Sequence, residues 1–281
     1  MKKRSHSNKS KTRLREKHRT ARIVRFCLFA VFFLSIVLGL AVVSRSPWAK
    51  LRSVTIVGNN LVSAEELKNL TEQETATALL GIFKTDNIIL YPKKRVEKKI
   101  TENFKSIQKV EISFKTPNEL ALNVIEREPR FLWCPGRESA PQDCFYMDVT
   151  GFVFSKSPAF SGNIFFIYYG LLQSGSNPEG VIGKTFLSND RLKSLAGFAE
   201  SVKTLGANPT ALLAHSEDDY ELFLSPHGRI LFNDKADFLK TFENFEAIVK
   251  SRDGVMGKGN FLANLDYIDL RFGFKAFFKL R

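Results

Sequence analysis

Nineteen consecutive uncharged residues, FCLFAVFFLSIVLGLAVVS, separate Arg25 from Arg45. As a helix they would extend about 28 Å, close to the thickness of a bilayer's hydrocarbon core. The run predicts a transmembrane helix over 26–45. A cleaved secretory signal is the rival, but its apolar region is shorter, and Ala41-Val42-Val43-Ser44 is a poor cleavage site. Beyond this run the pattern changes to short alternations and amphipathic stretches. Leu51–Val57 alternates as a half-buried strand, Gly58-Asn59-Asn60 supplies a turn, and Ser63-Ala64-Glu65-Glu66 is a capping box opening a helix to about Leu70. A second helix begins at Pro92 and puts Val96, Ile100 and Phe104 on one face. Val110, Ile112 and Phe114 alternate, as do Leu120, Leu122 and Val124, with Thr116-Pro117-Asn118 as the turn between two strands. The order strand–helix–helix–strand–strand predicts a small α+β unit over 48–128, with few polar groups able to converge on a reacting centre.

From 129 to 281 the pattern predicts a sheet with two helices inserted. Cys144–Phe154 is a hairpin turning at Val149-Thr150-Gly151, and Ile164–Tyr169 is an apolar strand. Leu192, Leu195, Phe198, Ala199, Val202 and Leu205 recur at helical spacing up to Gly206. Tyr220–Leu224 and Arg229–Phe232 flank the turn Ser225-Pro226-His227-Gly228. A helix follows over about Lys235–Lys250, and the chain ends in the strands Tyr267–Phe272 and Lys275–Leu280.

Charge refines the picture. The 281 residues carry a formal +13, but eleven of the 42 Lys and Arg lie in residues 1–25, opposed there only by Glu16. Residues 26–281 are left at +3. The excess therefore belongs to a tail that directs the N-terminus to the cytoplasm and attracts anionic lipid. Without interleaved aromatic side chains it is not a nucleic-acid footprint. Everything after about residue 45 is then expected outside the cytoplasm.

That compartment governs the cysteines. Cys27 lies in the apolar run. Cys134 and Cys144, with nine residues between them in a Pro- and Gly-containing loop, are candidates for a local disulfide. A zinc site would need about four ligands, and no Cys or His flanks the pair. A Cys–His nucleophile is not excluded by spacing, but nothing local supports it.

Several segments resemble the FtsQ/DivIB family of bacterial cell-division proteins: "VTIVGNNLVSAEEL", "NIILYPKKRVEKKI", "IQKVEISFKTPNELALNVIEREPRFLW" and "YMDVTGFVF". Val57-Gly58-Asn59, Glu126-Arg127-Glu128-Pro129, Asp148-x-x-Gly151-x-x-Phe154 and Tyr267-Ile268-Asp269-Leu270-Arg271-Phe272 fall in the family's order, behind a single anchor. The resemblance implies a POTRA domain over 48–128 and an FtsQ-type β domain over 129–281, in a single-pass protein of the cell membrane at the division septum. It implies no catalytic, metal or cofactor site. Expected partners are division proteins of FtsB and FtsL type, and of FtsK, FtsW and FtsI types. The Cys134–Cys144 segment departs from the family, most of whose members have a short polar loop there.

Other motifs carry less. Gly183-Lys184-Thr185 resembles the end of a phosphate loop, but Pro178 stands where its first Gly is required. Glu217-Asp218-Asp219 is simplest as a solvated turn, and His215 and His227 share no motif. Most of the 26 Phe residues fall at core spacing. The C-terminal hairpin is different, because nothing follows to cover it. At a sheet edge it would offer unpaired backbone groups to a partner strand, unless Lys275, Lys279 and Arg281 guard it. FtsQ-like proteins are thought to bind FtsB/FtsL-type partners beside this strand. By the resemblance, the partner-binding residues are Tyr267, Phe274, Lys275, Ala276, Phe277, Phe278, Lys279 and Leu280. The expected function is a non-enzymatic membrane scaffold of the division machinery. The alternative is a signal-anchored extracytoplasmic enzyme acting on cell-wall or lipid substrate, with Cys134 or His227 in its site. A POTRA export chaperone is disfavoured by the absence of repeats and by the anchor.

Overall fold

The computed structural model describes residues 22, 24–39, 42, 48, 50–76, 85–88, 90–137, 143–159, 164–172, 180–215, 219–234, 237–273 and 275–281. It is a mixed α+β structure, and its chain divides into two compact units, Met1–Ile125 and Glu126–Arg281.

Within the first unit, helix α1 spans residues 24–39, with exposed apolar side chains on every side. Among the described residues no helix is long and apolar enough to cross a membrane. The described part of the expected 26–45 span is residues 26–39 and 42. Nearly all of the basic tail, 1–25, lies outside the described residues.

The rest of this unit follows the predicted order: β1 (Ser53–Val57), α2 (Ala64–Ala76), α3 (Lys93–Asn103), β2 (Ile107–Thr116) and β3 (Glu119–Glu126). The capping box forms, with Glu66 N donating to Ser63 Oγ at 3.1 Å. Helix α2 runs six residues past its expected end, through the polar TEQETA segment. Pro92 is the residue before α3 rather than its first turn. The sheet order is β1-β3-β2, with β1 parallel to β3. Leu67, Val96, Ile100, Ile107, Leu120 and Leu122 form the core. At the end of β1, Gly58 has φ +87°, and a Cβ there would meet the Val124 carbonyl oxygen at 2.2 Å. Only glycine lets the chain turn that close to β3.

The second unit is built on one nine-stranded sheet, where the sequence predicts fewer strands. Its members are β4 (Phe131–Cys134), β5 (Phe145–Met147), β6 (Val153–Lys156), β7 (Phe166–Tyr169), β8 (Pro209–Ala214), β9 (Asp219–Leu224), β10 (Arg229–Asn233), β11 (Leu265–Phe272) and β12 (Lys275–Leu280). Their spatial order is β12-β11-β10-β9-β8-β7-β4-β5-β6. Helix α4 (Asn189–Thr204) is the crossover between the parallel strands β7 and β8. Helices α5 (Phe238–Met256) and α6 (Asn260–Ala263) make the crossover between parallel β10 and β11.

The strand positions that pack with these helices are apolar: Tyr168, Leu212, Leu222, Ile230, Phe232 and Ile268 meet Leu195, Phe198, Val202 and Phe245. The alternate positions of β9–β11 carry Glu221, Asn233 and Asp269. One face is therefore the core, and the other is polar toward the β12 end.

Two landmarks far apart in sequence meet here. Arg127 donates to Asp148 Oδ2 at 2.5 Å and lies over the Phe152 ring, while Asp148 Oδ1 accepts from the Thr150 and Phe152 amides. Gly151, at φ +83°, completes the β5–β6 turn.

Candidate functional site: the C-terminal edge hairpin

The hairpin β11–β12 closes one end of the sheet. Tyr267 pairs with Lys279, Ile268 with Phe278, Asp269 with Phe277 and Phe272 with Lys275, with irregularities flanking the central pairs. The segment K-A-F-F-K-L alternates between faces, as a strand must. Ala276, Phe278 and Leu280 pack on the core, and Phe278 lies edge-to-face on buried Phe261. Lys275, Phe277 and Lys279 are exposed. Among the described residues, nothing pairs with the outer side of β12.

The sheet's other end is treated differently. Along β6, Val153 N donates to the Lys184 carbonyl and Gly183 N donates to the Val153 carbonyl, while Phe152 bridges Thr185. The segment read as a possible phosphate loop is thus backbone cover for the start of that edge, at Phe152 and Val153.

Of the residues that the family resemblance puts at the partner site, Lys275 to Leu280 line one strand, with Tyr267 opposite Lys279. Phe274 lies outside the described residues. Phe272, not among the expected residues, joins them: it is 57% exposed and meets Phe277, 55% exposed, edge-to-face at 5.4 Å. An exposed aromatic pair on an open edge is a site of the kind that contributes strongly to binding when covered. The pairing of Phe272 and Phe277 depends on the irregular register of the hairpin, which sequence periodicity does not encode.

Lysines flank the pair without sealing it. Lys279 Nζ lies 3.3 Å from Asp266, and Lys275 has no carboxylate partner among the described residues. Within the hairpin's inner strand, Arg271 grips Asp269 through Nε and Nη2 at 2.9 and 2.7 Å. Burial pushes the Asp269 carboxyl up, but its hydrogen bonds with Arg271 and the guanidinium charge outweigh this and hold it below the usual carboxylate range. The same bonds push Arg271 further up.

Cys134 and Cys144 form a disulfide, with Cα atoms 4.4 Å apart and both residues buried. It ties off a loop that lays Arg137 over the Phe223 ring at 4.1 Å. Arg137, Phe223, Arg229 and Arg281 line a groove of about 420 Å3 on the face opposite the helices. Burial pushes the Tyr169 phenol in this groove up, and Arg137 pulls it back.

The remaining candidates separate. His215 Nε2 is 3.7 Å from Glu221, whereas His227 Nε2 lies 2.8 Å from the Ala263 carbonyl oxygen. Asp219 pairs with Arg271, and Glu217 and Asp218 lie outside the described residues. Among the described residues no group of three or more His, Cys, Asp or Glu is arranged to hold a metal ion. Comparison with models of known protein families and with curated proteins finds no match.

Proposed function

We propose that this chain is a single-pass membrane scaffold of the bacterial division machinery, of FtsQ/DivIB type, which takes up a partner strand along β12. The observation that carries the reading is the open outer edge of β12, with its inner side chains packed and Phe277 exposed. Strand addition there gains affinity from backbone hydrogen bonds and specificity from alternate side chains. The strand–helix–helix–strand–strand order of the first unit supports a POTRA assignment.

The exposed apolar surface all round α1, from Phe26 to Leu38, supports an anchor covered by lipid. The N-terminus would stay cytoplasmic and both units would lie outside. Tethering to one membrane raises the effective concentration of partners that are themselves anchored there. Partners of FtsB and FtsL type are the first expectation, and FtsK, FtsW and FtsI types the next. The thiol form of the enzyme alternative needs a free Cys134, and that sulfur is in a disulfide.

The test is co-purification from membranes with small single-pass coiled-coil partners. Intact chain, a Phe277→Ala variant and a chain truncated after Arg271 are compared. Partner loss in both altered chains, with the first unit still folded, supports the reading. Unchanged partners would overturn the role of β12.

A further inference from the structure

One turn residue holds the residues that lead into β1. Asn118, in the two-residue turn between β2 and β3, donates from Nδ2 to the carbonyl oxygens of Trp48 and Lys50 at 2.9 and 2.7 Å. Its own carbonyl accepts from the amides of Arg52 and Ser53 at 2.8 and 3.3 Å. From the other side, Leu51 N donates to the Asp86 carbonyl at 2.9 Å, and Lys50 bridges Asn87. Residues 48 and 50–53 are therefore fastened to the β2–β3 turn and to the 86–87 segment before β1 begins.

What it carries is exposed. Trp48, three residues beyond Arg45, where the uncharged run has ended, is 58% exposed. The exposed cations Lys50 and Arg52 follow it in the chain, and exposed Lys115 lies near the end of β2, three residues before Asn118. Asp86 and Glu119 approach Lys50 and Lys115 only at 3.9 and 3.7 Å, in solvent-exposed pairs of little strength.

An indole just past a spanning segment suits the bilayer interface, with its ring among acyl ends and its N–H toward water and headgroups. The neighbouring ammonium and guanidinium groups can donate to lipid phosphates. We propose that this end of the first unit docks on the phospholipid headgroup layer, with Trp48 as interfacial anchor and Asn118 as the latch that keeps the β2–β3 turn at that depth. The proposal rests on the reading of α1 as an anchor.

The chain carries its own reporters. Cys27 in α1 is its one cysteine outside the disulfide, and of the two tryptophans Trp133 is buried in the second unit. Full-length chain would be reconstituted in phosphatidylcholine–phosphatidylglycerol vesicles containing headgroup-labelled nitroxide lipid. The expected result is that Trp48 emission is quenched while Trp133 is spared, and that the backbone amides of 115–119 are broadened. In Asn118→Ala and Asn118→Asp, Trp48 should remain quenched while the broadening of 115–119 falls several-fold, with the β1–β3 amide pattern retained. Unquenched Trp48, or broadening that neither substitution changes, would overturn the proposal, provided Cys27 resists a water-soluble maleimide. Ready labelling of Cys27 would instead mean that α1 is not inserted, and the anchor reading would fail with the proposal.

Discussion

The Arg271 guanidinium spans β10 to reach Asp219, with Nη1 2.7 Å from Oδ2, while its other nitrogens hold Asp269. Asp219 opens β9 and Arg271 lies near the end of β11, so one side chain links the hairpin's inner strand to β9 across β10. Asn233, opposite Asp219 on β10, lies buried between them in the strand order.

Arg271→Gln is expected to cost about 1.5–3 kcal/mol, because a buried carboxylate loses its charged hydrogen bonds. Asp269 titrates lower in the folded chain than its ordinary value, so its contribution is full above the normal aspartate range. It is lost as pH falls through the lowered folded value. The gap between parent and variant in urea-unfolding free energy should therefore be widest near neutrality and narrow in acid. A gap that widened on acidification would contradict this.

Two glycines with similar backbone angles should respond differently. Gly58→Ala adds a Cβ against the Val124 carbonyl at φ +87°, and the combined strain and overlap should cost about 2–5 kcal/mol. Gly206, at φ +90° after α4, has nothing within 4 Å, so Gly206→Ala should cost only about 1–2 kcal/mol. Thermal unfolding of the two variants separates these outcomes.

Replacing both Cys134 and Cys144 with Ser should destabilise the second unit by about 3 kcal/mol, the chain-entropy expectation for so short a loop. Calorimetry of the full chain should show the loss in the transition assigned to this unit. The reactivity of Arg137 toward phenylglyoxal should rise as its loop leaves Phe223.

Phe232→Ala opens a cavity among Phe198, Tyr220 and Phe238 and should cost about 3–5 kcal/mol. Phe277→Ala removes an exposed ring and should shift stability by no more than about 0.5 kcal/mol. Circular dichroism melts would reveal whether Phe277 is instead a folding residue.

The sequence pattern carried most of the first unit because its strands have one dry face and one wet face, and Ser63 and Glu66 mark a helix start chemically. It failed where alternation disappears. Phe131–Cys134 and Pro209–Ala214 are short apolar runs in the middle of a sheet, and the Ala-Leu-Leu-Ala core of the second suits a helix as well as a strand. Helix α6 has four residues, too few for a period. The hairpin itself was legible from the two strand-like runs Tyr267–Phe272 and Lys275–Leu280 that end the chain. Its position at an edge was not, because that depends on parallel crossovers through α4 and α5. The link from Arg271 to Asp219 was hidden for the same reason, since it spans 52 residues and exists only once β10 lies between β9 and β11.

The cover that residues 183–186 give to the start of β6 has a consequence for stoichiometry. A sheet open at both ends could pass pairing from molecule to molecule into a fibre. With Val153 at the start of β6 already paired to its own chain, addition at that end is hindered, and β12 is the end that offers a full strand for pairing. A foreign strand and a second copy of the same hairpin, arranged about a twofold axis, would compete for the same place, and each would close the assembly.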